Sequence, residues 1–227
     1  MSTAMKSGLA SFVAALAASL AGVWIIGPNL GGAFWIVCVV SILSPVAASS
    51  FNDMLPSLIA GVCASVGGAV AATMLLMHDA FTLEQSIAVA GTAFAIGLAL
   101  LALVRLLVVI RIAPILAAFI VTLLALAWLS WPLWLSPWLT FPESGDVASR
   151  LASVHPLMSI NAVAQQFGFW TQGKIIYRLT TVGQNFQIAL PSGVMRCVSF
   201  HLVVATLAVA PLAISATITR RKSARLP

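Results

Sequence analysis

The chain has 227 residues, of which 61% are hydrophobic and only 7% charged, and its formal net charge is +6. A soluble domain carries about 25% charged residues, so this composition excludes an ordinary soluble enzyme and makes lipid the main solvent. With three cysteines and three histidines, it also argues against a disulfide framework or a zinc cluster.

Six apolar stretches of roughly 20 residues match the length a helix needs to cross a bilayer. They run over 8–27, 31–49, 55–77, 86–104, 112–135 and 197–218. Each is continuously apolar rather than alternating, so helices are expected and barrel strands are not. The expected fold is all-α: one polytopic transmembrane domain over 1–227, with a long outer loop, 136–196, between the fifth and sixth helices.

The first stretch has the basic start of a signal peptide in Lys6. Its apolar run continues past Trp24 to Pro28, longer than a typical signal core, so a retained helix is expected. It carries small residues at Ala14, Ala18 and Gly22. The third stretch has two such lines, Ser57, Gly61, Ser65 and Ala69, and Ala64, Gly68 and Ala72. Small residues four apart let helix backbones approach closely. Cys38, Cys63 and Cys197 fall in or beside spans and read as small buried hydrophobes.

Orientation follows from the basic residues. Lys6, Arg105, Arg111, Arg220, Arg221, Lys222 and Arg225 all fall on one side of a six-span chain. That side is expected to be cytoplasmic, with both termini there. The short outer loops 28–30 and 78–85 hold no Lys or Arg. Arg105 and Arg111 read first as inside-positive anchors, and as docking candidates for a cytoplasmic partner. The basic tail attracts anionic lipid headgroups. Nucleic acid is not an expected partner, because no basic soluble face carries aromatic side chains.

The outer loop opens with Trp131-Pro132-Leu133-Trp134 and Ser136-Pro137-Trp138, which suggest an interfacial aromatic belt. Phe141 to Asp146 reads as an exposed turn. Pro156 suits the first position of a short amphipathic helix over 156–170. Its apolar face is Ile160, Val163, Phe167 and Trp170 at spacings of three and four. A mixed segment from Ile175 to Leu190 follows, containing Arg178. Either this loop dips into the outer leaflet and gates a pathway, or it caps the bundle and docks a partner. The apolar stripe favours the first, because it needs burial.

His201, one turn inside the sixth span, and Arg196, just outside it, join Arg178 and the stripe as pathway or gate candidates, since intramembrane ionisable groups are functional by default. None of the five acidic residues falls in mid-span, so a proton relay through buried carboxylates is not expected. His78 and Asp79 would bind metal only with help from His155, so no metal site is expected. No nucleotide-binding loop or hydrolase motif occurs. No cofactor and no catalytic residue are expected, and energy would come from another subunit or a gradient.

Six spans, both ends inside, an amphipathic segment after His155-Pro156 and a terminal Arg220-Arg221-Lys222 together resemble the membrane subunits of type-2 ABC exporters. The likeness is of topology over the whole chain. It implies a permease subunit of an inner-membrane transporter, working as a dimer or with nucleotide-binding partners. The chain departs from that family between the second and third spans, where only Ser49 to Asp53 stand in place of a charged cytoplasmic loop. Its first three spans, with Gly32-Ala33-Phe34-Trp35 and Ser44-Pro45, also look like aromatic-acid efflux proteins. The expected function is transport of a hydrophobic or amphipathic solute. The rival is a non-catalytic structural or assembly subunit of a membrane complex. A lipid-directed enzyme using His155, Arg178 and Arg196 is a third, lesser expectation.

Overall fold

The computed structural model describes residues 3–51, 53–75, 81–131, 145–164, 191 and 193–223, with backbone alone at 3, 30, 145 and 212–223. Among these residues the regular structure is helical, without strands. The helices are α1 (Thr3–Ile26), α2 (Leu30–Ser49), α3 (Met54–Thr73), α4 (Leu83–Val109), α5 (Pro114–Leu129), α6 (Gly145–Val154), α7 (Pro156–Val163) and α8 (Met195–Ser223). By length and composition α1 to α4 can each cross a membrane, and α5 and Met195–Pro211 of α8 are shorter apolar helices. The chain is therefore an all-α, membrane-embedded protein.

A tight turn joins α1 to α2. Gly27 has φ +100° there, a conformation a side chain resists. Asn29 then caps α2, its Oδ1 accepting from the backbone N–H groups of Gly31 (2.8 Å) and Gly32 (3.2 Å). At the start of α4, Thr82 and Gln85 form a reciprocal capping box. At its end, Arg111 N–H donates to the Val108 carbonyl and Ile112 N–H to that of Leu107, both at 3.0 Å. This is a Schellman-type stop. Arg111 occupies its left-handed position with φ +73°, where glycine is usual.

Helix α4 thus runs beyond the expected limits of 86–104, because Arg105 lies inside the helix rather than in a loop. Helix α5 spans fewer residues than the expected 112–135, ending in a turn at Ser130. The expected turn over 141–146 is corrected in its last two residues. Gly145 and Asp146 open α6, and an acidic residue in a first turn suits the helix dipole.

Helices α2 and α4 form the centre. Helix α3 packs on both, α1 on α3 and α2, and α5 on α2 and α4. Helix α8 lies along α4, α7 sits on α2 and α4, and α6 contacts α7 and α8. The centre is held by small residues. Ser44 Oγ lies 3.0 Å from Ser65 Oγ, 3.1 Å from the Gly61 carbonyl and 3.2 Å from the Gly97 carbonyl. One hydroxyl thereby joins α2, α3 and α4. A Cβ at Gly68 would collide with Val40, and one at Gly67 would meet the Phe12 carbonyl at 2.6 Å. The small-residue lines of α3 are buried except at Ala69. Of the line expected in α1, Gly22 is buried against Trp35 and Ala18 is half-buried, its carbonyl accepting from Trp35 Nε1 (2.9 Å), whereas Ala14 is exposed and Ala15, Ser19 and Val23 are buried instead.

Large apolar side chains cover the outside. Trp24 is 88% exposed, Ile115 80% and Leu207 68%. Such a surface suits hydrocarbon rather than water.

Candidate functional site

The C-terminal end of α5, the junction of α6 with α7 and the start of α8 meet in a cluster of rings. His155 is N-cap of α7, with extended backbone that leads into Pro156 at the first helical position. Its Nδ1 accepts from the Met158 backbone N–H at 3.3 Å. That nitrogen is therefore unprotonated, and Nε2 carries the hydrogen. Nε2–H points at the carbonyls of Trp128 (3.1 Å) and Leu129 (3.2 Å). These belong to the last turn of α5, where carbonyls lack partners within the helix. One imidazole caps the end of α5 and the start of α7 together.

Trp128 and Trp131 flank that ring, with centroids 5.6 Å and 5.9 Å away. Trp128 also stacks obliquely on Phe200 at 6.2 Å, and Phe200 meets His201 edge-on at 5.2 Å. His155 is 1% exposed. Burial drives its pKa down to about 4, with a smaller push the same way from His201, while the two carbonyls pull it up. It is neutral at pH 7. Trp131 is buried with Ala148, Ala152 and Met158, so it anchors α6 and α7.

Helix α7 is tied down on its other side. Gln85 completes the α4 cap by accepting from Thr82 N–H through Oε1 (2.9 Å), and its Nε2 donates to the Val163 carbonyl (3.0 Å). Of the expected apolar stripe, Ile160 is fully buried in the main core and Val163 is half-buried. Phe167, Trp170 and Arg178 lie outside the described residues, as do His78 and Asp79.

His201 lines a groove of about 200 Å³ between α4, α5 and α8, with Leu100, Leu124, Trp128 and Val204. Its Nδ1 lies 2.8 Å from the Cys197 carbonyl of its own helix. An oxygen acceptor there makes Nδ1 the donor and leaves Nε2 as the acceptor of the neutral ring. Arg196 is exposed at the start of α8, and Arg111 is exposed beyond α4. Arg105 is buried and stands apart from the ring cluster, in a second groove between α3, α4 and α8. Among the described residues no group of three or more His, Cys, Asp or Glu could hold a metal ion.

Sequence reasoning missed Gln85 and the double role of His155. The Thr82-x-x-Gln85 spacing was the available signal for the first, and His155 preceding Pro156 for the second. The contact of each with another helix left no trace in the sequence. No family model, curated protein or solved structure matches this chain.

Proposed function

We propose that the chain is a permease subunit of a bacterial-type inner membrane, with six spans and both termini cytoplasmic. It moves a hydrophobic or amphipathic solute and draws energy from a partner. The observation that carries this reading is the His201 groove between α4, α5 and α8, an apolar surface with one hydrogen-bonding ring. A solute with a hydrocarbon body and a single hydroxyl or amide N–H fits that chemistry. The sequence assigns Phe167, Trp170 and Arg178 to the same gate, and these three lie outside the described residues. Arg105, Arg111 and the basic tail mark the cytoplasmic side.

The decisive experiment is isolation of the native complex together with solute efflux from reconstituted vesicles. A co-purifying nucleotide-binding chain, and loss of efflux in His201→Leu with assembly intact, support the permease. Full efflux in His201→Leu would remove the groove from the pathway. Cysteines at positions 144 and 223 should label from opposite faces.

A second reading is favoured by the closed centre of the bundle. Ser44, Ser65, Gly68 and Val40 leave α2, α3 and α4 in direct contact, which suits a rigid assembly subunit. A fixed stoichiometry in a larger complex without efflux would select it.

A further inference from the structure

Among the described residues Arg105 is a buried cation with two unpartnered guanidinium nitrogens. It lies in the last turns of α4, is 5% exposed, and neither its Nε nor its Nη1 meets a hydrogen-bond acceptor. Among the described residues the acids Asp53, Glu84 and Asp146 are exposed, and none forms an ion pair with it. A guanidinium keeps its proton under all ordinary conditions. Leaving it buried and uncompensated is strongly destabilising, and none of the described residues supplies the anion.

The surroundings specify what kind. Arg105 closes one part of an otherwise apolar groove of about 490 Å³, walled by Leu58 and Val62 of α3, Leu101 of α4, and Leu202 and Val209 of α8. That volume falls within the roughly 300–1,000 Å³ of ligand sites. The one hydroxyl in the lining, Thr206, donates to its own helix at the Leu202 carbonyl (2.8 Å). The groove therefore offers one strong charge and a long hydrocarbon wall. A small hydrated anion satisfies the first and wastes the second. A neutral lipid does the reverse.

We propose that this groove binds an anionic phospholipid, its phosphate on Arg105 and one acyl chain against α3 and α8. By the charge rule Arg105 stands near the cytoplasmic face, where anionic lipids concentrate and basic pockets between helices hold their headgroups. The site rests on the proposed orientation but not on transport, so it stands or falls separately from solute movement.

The test uses the full chain, purified in mild detergent and stripped of lipid. Phosphatidylglycerol, phosphatidylcholine and inorganic phosphate are added separately, and retention and melting are followed by native mass spectrometry and a thermal scan. Phosphatidylglycerol should be retained and should raise the melting temperature, and the other two should do neither. Arg105→Met should retain phosphatidylglycerol at least about fivefold less, yet melt at or above the parent when delipidated, because an unpaired buried charge has gone. Ala205→Phe, which narrows the groove and keeps the charge, should also lose retention. Equal retention of the two lipids, a full melting shift from phosphate alone, or a less stable delipidated Arg105→Met would each overturn the proposal. Should Arg105→Met fail to fold, parent-like retention in Ala205→Phe overturns it as well.

Discussion

His155 donates from Nε2 to the backbone carbonyl of Trp128, 3.1 Å away, and so fastens the C-terminal end of α5 to the helix that His155 itself begins. In the neutral ring Nδ1 accepts from Met158 N–H, which leaves Nε2 with the hydrogen it donates. Protonation of the ring would turn Nδ1 into a donor facing a donor.

Acid should therefore loosen this corner. The imidazole has an ordinary pKa of 6.5 and is held at about 4 in the folded chain. Below about pH 6.5 the unfolded chain takes up a proton that the folded chain refuses, so stability falls as pH drops and stops falling near pH 4. The full loss is on the order of 3 kcal/mol. His155→Asn keeps an N-cap acceptor but does not titrate in this range. It should melt lower at pH 7.5 and show a shallower decline between pH 6.5 and 4.5. An equal decline in parent and variant would place the acid sensitivity elsewhere.

Gly68 and Gly91 should respond in opposite ways. A Cβ at Gly68 collides with Val40, whereas one at Gly91 meets nothing within 4 Å. Gly68→Leu should cost about 1–3 kcal/mol through overpacking. Gly91→Ala should be neutral or gain about 0.5–1 kcal/mol, since alanine restricts the unfolded chain more. Melting of both variants in one detergent gives the comparison. A Gly68→Leu variant as stable as the parent would mean that α2 and α3 can separate without loss.

The helices were legible because a bilayer demands long apolar runs, and α1 to α4 have them. Their ends were less so. Treating Arg105 as a loop marker shortened α4, since a sequence does not reveal that a charge sits in a groove within the helix. Helix α6 was missed although its sequence is amphipathic, with Ala148, Leu151 and Ala152 on one face. Their burial depends on Trp131, which arrives just beyond the end of α5. His201 was legible as a candidate from its depth alone, but its groove was not, because the walls come from α4 and α5.

Arg111 should trade backbone strain against charge. Its φ of +73° lies where a Cβ is crowded, at a cost of about 1–2 kcal/mol relative to a relaxed residue. The turn needs only its N–H, which donates to Val108. Arg111→Gly should accordingly raise the melting temperature while leaving the α4–α5 turn intact. Cysteine labelling at position 223 should still report the parent orientation, since Lys6, Arg220, Arg221 and Lys222 remain. A fall in melting temperature would show that the guanidinium contributes more than the strain removes.

Gln85 allows the cap of α4 and the tether of α7 to be separated. Its Oε1 serves the cap and its Nε2 serves the Val163 carbonyl. Gln85→Glu keeps an acceptor for Thr82 N–H, and a carboxylate at that position suits both the capping box and the helix dipole. The same change deletes the donor to Val163 and sets a negative oxygen against a carbonyl. Helix α4 should start as before, and the end of α7 should lift. Thr82→Ala is the converse: it removes the hydroxyl acceptor for Gln85 N–H at a cost of about 1 kcal/mol and leaves the tether in place. A water-accessibility probe at position 163 should become more exposed in Gln85→Glu and stay unchanged in Thr82→Ala. If α7 belongs to an outer gate, solute efflux should change in the first variant alone. Unchanged probe accessibility in Gln85→Glu would show that burial of Ile160 holds α7 without the hydrogen bond, and the tether would lose its role.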